Sequence, residues 1–150
     1  MNYKVLSTKI LDPESKKELN HSFYQYSEKD FIKIIPTDHY LSEIACDSLI
    51  FTSQNAVQIF LKNSELKKYK SKKIFCVGDT SKSLLRKNKF RVENCFNDSS
   101  SLAKFITKNN KSDKFLYLCG KNRLKNIEEI LSNSNVDLIV EELYETKLLY

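Results

Sequence analysis

Three short segments gather hydroxyls, amides and cationic groups directly behind apolar runs: Thr52-Ser53-Gln54-Asn55, Gly78-Asp79-Thr80-Ser81 and Gly120-Lys121-Asn122-Arg123. Each reads as the carboxyl end of a strand passing into the start of a helix. The first N–H groups of a helix lack internal partners and carry the positive end of its dipole, so they suit carboxylates and phosphates. Helix capping accounts for any one of these loops. Three on one edge of a sheet predict an anion-binding rim.

Charge supports that reading. The chain of 150 residues carries a formal charge of +6, and residues 1–46 hold 6 basic and 7 acidic side chains against 19 and 12 in the remainder. A basic lobe draws an acidic partner, either nucleic acid or a polycarboxylate. The run Lys67, Lys68, Lys70, Lys72 and Lys73 reads as a solvated loop between a helix and a strand. No recognised nucleic-acid motif accompanies it.

Other chemistries are excluded by residue type. With two glycines in the chain, neither a P-loop nor G-x-G-x-x-G can be written. There is no G-x-S-x-G elbow, and His21 and His39 fit no triad. A phospho-acceptor receiver would need acidic residues where Thr52 and Ser53 stand. Cys46, Cys76, Cys95 and Cys119 form no C-x-x-C pair and read as small buried hydrophobes, so no metal site and no disulfide is expected.

The elements that must position these loops follow from periodicity. Ser48 to Ser53 is an apolar run, and Ala56, Val57, Phe60 and Leu61 mark one face of a helix over Asn55 to Asn63. Lys73 to Val77 is the next strand, with Asp79 or Thr80 capping a helix that carries Leu84 and Leu85. Phe90 to Cys95 is a weaker strand. Ser99 to Ser101 offer caps for a helix with Leu102, Ala103, Phe105 and Ile106. Lys114 to Cys119 is a strand, Ile127, Ile130 and Leu131 mark a helix, and Val136 to Leu143 is the last strand. Repeated β-α-β units predict an α/β fold: a flavodoxin-like parallel five-stranded sheet with helices on both faces and strand order 2-1-3-4-5. The near-continuous apolar strands agree with burial on both sides.

Residues 1–36 repeat the style once, with a strand over Lys4 to Ile10, a helix over about Pro13 to Tyr26 and a strand over Phe31 to Ile35. Two strands and one helix do not close a core, so this is a β-α-β fragment of a second, similar lobe. The expected organisation is a partial first lobe at 1–36, a complete inserted lobe at 37–146 and a return connector at 147–150, with Pro36 to His39 as linker. No apolar run reaches the ~18–20 residues of a membrane span, and the start has no signal-peptide core. A cytoplasmic protein with no membrane partner is expected. The exposed apolar face of the fragment predicts self-association.

The same loops carry a family likeness. Leu49 to Val57 (LIFTSQNAV) resembles the IFTS-x-x-AV segment of uroporphyrinogen-III synthases. Phe75 to Leu84 is similar to their VG-x-x-T-x-x-x-L segment, with Lys89-Phe90 where the family often has Gly-Phe. Leu116 to Arg123 resembles their strand-Gly-x-x-Arg segment, and Leu143 to Thr146 their Y-x-T return. Val5 to Lys9 and Ile34 to Pro36 match the family's opening positions. The resemblance implies two α/β lobes, the second inserted into the first, with the rest of the first lobe following Tyr150 as roughly three β-α units of ~30 residues.

It also implies an activity: cyclisation of hydroxymethylbilane, with loss of its hydroxyl and inversion of ring D through a spiro intermediate, needing no cofactor or metal. The substrate's eight carboxylates suit a basic cleft. Tyr144 would be the catalytic residue, assisting departure of the hydroxyl as acid or hydrogen-bond donor. Substrate-binding positions would be Thr52, Ser53, Gln54, Asn55, Gly78, Thr80, Ser81, Gly120, Lys121 and Arg123, with Thr8 and Lys9 from the first lobe. Ser81 replaces the usual Thr and keeps a hydroxyl. Lys9 replaces the usual Arg and loses two-point carboxylate contact. A non-catalytic module binding a tetrapyrrole or another polyanion is the competing reading, and a nucleic-acid binder using the lysine-rich loop is the third.

Overall fold

A computed structural model describes residues 3–19, 24–37 and 44–149. His21 and His39, and the linker residues Asp38 and His39, lie outside them. The chain divides into two compact units, Met1–Ile35 with Thr146–Tyr150, and Pro36–Glu145.

In the first unit β1 (Tyr3–Ser7) and β2 (Tyr24–Glu28) form a parallel pair. Between them α1 (Pro13–Glu18) starts at Asp12, whose carboxylate accepts the N–H groups of Glu14 and Ser15 at 3.0 and 2.9 Å, with Pro13 suited to the first turn. The expected helix over Pro13 to Tyr26 is therefore six residues long, and the expected strand from Lys4 ends at Ser7. After Pro13 the helix contains no apolar side chain, so no stripe exists to carry it onward. Tyr24 and Tyr26 are strand formers at alternating positions. Glu28 ties the unit together, accepting from the Tyr26 hydroxyl at 2.8 Å and the Leu11 N–H at 3.1 Å, and pairing with Lys16.

The third strand, β3 (Ile32–Pro36), neighbours not β1 but β8 (Leu138–Leu148). Leu149 donates to the Phe31 carbonyl at 2.8 Å and Thr37 to the Leu143 carbonyl at 2.9 Å.

The second unit is the alternation expected: β4 (Ser48–Phe51), α2 (Gln54–Leu61), β5 (Lys73–Val77), α3 (Asp79–Lys87), β6 (Val92–Phe96), α4 (Ser99–Asn109), β7 (Phe115–Gly120), α5 (Asn126–Asn133) and β8. With β3 the sheet has six strands in the order β3-β8-β7-β4-β5-β6. Both the five-strand description and the 2-1-3-4-5 order are corrected: the parallel strands, numbered from β4, run 3-2-1-4-5. The chain steps outward from β4 to β6, then crosses back to place β7 on the other side of β4. Right-handed crossovers put helices on opposite faces when the direction reverses. Accordingly α2 packs with α3, and α4 with α5.

Alternation along each strand feeds two cores. Ile50, Phe75, Phe115 and Tyr117 pack against Leu102, Ala103, Ile106, Ile127 and Leu131. On the other face Phe60 of α2 meets Phe51 at 5.1 Å and Phe90 at 5.4 Å between ring centroids. Of the lysine-rich run, Lys70 lies over the Phe90 ring at 3.8 Å and Lys73 bonds Asp113 at 3.0 Å, so it is only partly a solvated loop. Within it Leu66–Tyr69 forms a 3-10 turn that buries Tyr69.

Helix α3 ends in a Schellman arrangement: Phe90 N–H to Leu85 carbonyl at 3.0 Å and Lys89 N–H to Arg86 carbonyl at 2.9 Å. This requires Lys89 at φ 62°, where a side chain costs ~1–2 kcal/mol. The extra chain entropy that glycine loses on folding offsets ~0.5–1 kcal/mol of the relief. Lys89→Gly is therefore expected to raise stability by ~0.5–1 kcal/mol, read as a higher urea midpoint at unchanged m.

Candidate functional site

Reversal of the strand order creates a crevice beyond the carboxyl ends of β4 and β7, where ligands of open α/β sheets bind. Two of the three expected loops leave from these strands and the third from β5 beside them. The 3-2-1-4-5 order thus places Thr52–Asn55 and Gly120–Arg123 on either side of the switch point.

The β7–β8 ladder shifts register at this edge, pairing Cys119 with Glu142 but Gly120 with Tyr144. Bulges of this kind re-aim side chains. Here Tyr144 lies across Gly120: a Cβ on that glycine would come within 2.5 Å of the ring Cζ, 2.7 Å of Cε2 and 2.8 Å of the hydroxyl. Only glycine admits so close an approach. The ring is 7% exposed, and its hydroxyl meets Ser53 Oγ at 2.9 Å. Its carbonyl accepts the Lys121 N–H at 2.8 Å.

Ser53 is also the N-cap of α2, accepting the Asn55 N–H at 3.1 Å. One hydroxyl therefore starts the helix and touches Tyr144. Beside it Thr52 Oγ1 and the Tyr117 hydroxyl share a hydrogen bond of 2.7 Å. Burial pushes the Tyr117 phenol up to about 12, against the lowering effect of the Thr52 bond. Tyr117 was not among the expected site residues. A tyrosine near the end of an otherwise apolar strand, one that closes on a candidate loop, was the available signal.

Arg123 has its partners within the fold. Its guanidinium takes both Glu128 oxygens at 3.1 and 2.6 Å, Glu142 at 2.7 Å and the Gly120 carbonyl at 3.0 Å. The Glu128 hydrogen bonds raise its pKa most, with burial opposing and Glu142 adding. Its charge is balanced within the fold, and it clamps the loop between β7 and α5. Glu128 and Glu142 were not foreseen; the Glu142 pairing depends on the β8 register, and the Glu128 pairing on how the loop turns into α5.

The other positions are placed less closely. Gln54 and Lys121 are exposed, with Lys121 Nζ 3.8 Å from Glu145. Gly78, at φ 88°, precedes α3, which has no side-chain cap; Thr80 is exposed and Ser81 buried in its first turn. Thr8 and Lys9 belong to the first unit, where both are exposed and the Thr8 carbonyl accepts the Phe31 N–H at 3.1 Å. Among the described residues no group of acidic, histidine and cysteine side chains could hold a metal, and no helix is long and apolar enough to cross a membrane.

Comparison with known proteins bears on this geometry. The family model for uroporphyrinogen-III synthase HemD matches residues 16–149. No curated protein matches the sequence significantly. Among solved structures, the fold is similar to the uroporphyrinogen-III synthetase of Helicobacter pylori, with a TM-score of 0.74, 20% identity and coverage of 100% of this chain and 64% of that one. It is also similar to the uroporphyrinogen III synthase of Thermus thermophilus, at 0.64 and 12%, covering 98% and 63%. The chain thus spans 64% or less of the length of these two solved chains. By the extent of the family match, with the same loops meeting at the switch point, the chain belongs to the uroporphyrinogen-III synthase family.

Proposed function

We propose that the chain acts in the cyclisation of hydroxymethylbilane to uroporphyrinogen III, with Tyr144 at the leaving hydroxyl. The observation that carries this reading is the Ser53–Tyr144 hydroxyl pair at 2.9 Å, held over Gly120 at the switch point. Ser53 Oγ already accepts the Asn55 N–H. When Ser53 donates its proton to the Tyr144 oxygen, the tyrosine proton is left to donate to the substrate hydroxyl as the C–O bond breaks. That is general-acid assistance by a positioned side chain.

Carboxylates of the substrate would meet the uncapped first turn of α3 at Gly78, Thr80 and Ser81, the start of α2 at Gln54 and Asn55, and the ammonium of Lys121. Arg123 is a positioning residue in this scheme, fixing the loop that carries Gly120 and Lys121. Thr8 and Lys9 are assigned to the substrate on the family resemblance. The lobe boundaries that go with this scheme are 1–36, 37–146 and 147–150. The first unit leaves Tyr3, Leu6 and Tyr24 at 58%, 56% and 45% exposure on two strands, which favours association of the chain with a second copy.

Tyr144→Phe keeps the ring and removes the acid, so kcat for the type III isomer is expected to fall ~10²–10⁴-fold. If the full chain yields only the type I isomer at the spontaneous rate, the enzymatic reading fails and binding of uroporphyrinogen without turnover becomes the better account. Gly120→Ala forces the tyrosine ring off its seat, and overpacking of this kind costs ~1–3 kcal/mol; denaturation and isomer assays should report the loss together. Light scattering is expected to give a mass above one chain, and a clean monomer would remove the association.

A further inference from the structure

Strand β7 is apolar from Phe115 to Cys119 except for the hydroxyl of Tyr117, a residue 1% exposed. A phenylalanine would fill the same place beside Ile50, Phe75 and Leu102 without a polar atom to satisfy. The register explains where that hydroxyl goes. Tyr117 pairs with Ile50 of β4, and Thr52 follows two residues further on, on the same side of the pleat. The phenol spans this diagonal and brings its oxygen to Thr52 Oγ1 at 2.7 Å, at the carboxyl end of β4.

Two hydroxyls bring two protons to this one bond, so one proton is left over. Among the described residues neither hydroxyl has another hydrogen-bond partner. If Thr52 donated, the proton left over would be the phenol's, buried without an acceptor at a cost in stability. If Tyr117 donates, it is the proton of Thr52, which is only half-buried and stands where β4 opens onto the rim. The second arrangement leaves no buried donor unmatched. The phenol is also the more acidic hydroxyl of the two, and burial raises its pKa to about 12, so it keeps its proton and stays a donor.

We propose that Tyr117 is a positioning residue for the substrate: by donating to Thr52 Oγ1 it turns the Thr52 proton toward the rim, where Thr52 becomes a fixed donor to one substrate carboxylate. The role rests on the cyclisation reading, with Thr52 at the substrate as the family resemblance implies. Tyr117 itself touches no reacting atom. A hydroxyl free to rotate offers either a lone pair or a proton. One that already accepts from a buried phenol offers the carboxylate its proton without reorganising.

Anaerobic titration of the full chain with uroporphyrinogen III tests the coupling in a double-mutant cycle. Tyr117→Phe keeps the ring and is expected to weaken binding about threefold to tenfold, the range of one hydrogen bond. Thr52→Val should weaken it at least as much, and the double variant no more than Thr52→Val alone. Because Thr52→Val strands the buried phenol, it should also melt below the double variant. With hydroxymethylbilane, the Tyr117→Phe loss should fall on KM rather than on kcat. Wild-type affinity in Tyr117→Phe, or losses that add in the double variant, would overturn the proposal and leave the cyclisation reading standing. Coupled losses of binding in a chain that yields only the type I isomer would uphold the proposal and remove turnover. A wild-type chain that does not bind uroporphyrinogen III would overturn both.

Discussion

One extra residue in β8 sets the geometry of the rim. Had the β7–β8 ladder continued without a shift, Gly120 would face Leu143, and the tyrosine would sit on the opposite side of the pleat. The bulge brings Tyr144 opposite Gly120 instead. From there its hydroxyl reaches Ser53. The glycine is the complementary half of this constraint, because any side chain would occupy the volume of the ring. Ser53 in turn begins α2. Strand pairing, helix start and the tyrosine's position are therefore one mechanical unit, and the hydroxyl pair is rigid because each partner is fixed by the backbone.

That rigidity changes the expected electrostatics. The basic lobe suggests that arginine and lysine side chains attract an anion directly. Arg123 instead spends its donors on Glu128, Glu142 and the Gly120 carbonyl, and Lys73 on Asp113. What the rim presents is a set of short hydroxyls and helix starts, of which α3 after Gly78 and α5 after Lys125 have no side-chain cap. Fixed dipoles of this kind need no reorganisation when charge arrives. Lysines elsewhere on the lobe contribute a general field, which raises encounter rates without choosing among anions.

The second unit was legible in the sequence because local and global signals agree there. Apolar strands, helical stretches and turn residues alternate at regular spacing, and each expected element from Ser48 to Leu143 is present. However, α3 starts from Gly78 rather than from a capping Asp79 or Thr80, and α4 is capped by Asp98 rather than by Ser99 to Ser101. Strand order was not legible: both 2-1-3-4-5 and 3-2-1-4-5 satisfy the right-handed crossover rule, and nothing local distinguishes them. The β8 bulge escaped for the same reason, since it is a property of pairing. With it went the Arg123 clamp and the part played by Tyr117. In the first unit the failure was different. Residues 14–18 are polar throughout, so helical periodicity had no apolar stripe to report, and the start of the strand at Tyr24–Glu28 was absorbed into the helix.

The two units also differ in what holds them. In the second, two buried cores back both faces of the sheet. The first relies on a capped six-residue helix, one parallel ladder and the partly exposed Glu28 cluster, and exposed ion pairs contribute little. Its Lys9 offers a flexible point charge where a guanidinium would offer a planar fork, so it can favour a carboxylate without dictating its angle. In the proposed scheme, angular discrimination among carboxylates comes from the second unit's hydroxyls and backbone N–H groups. The bulge at Gly120 and the cap at Ser53 fix those groups, so selectivity depends on the same backbone register that places Tyr144.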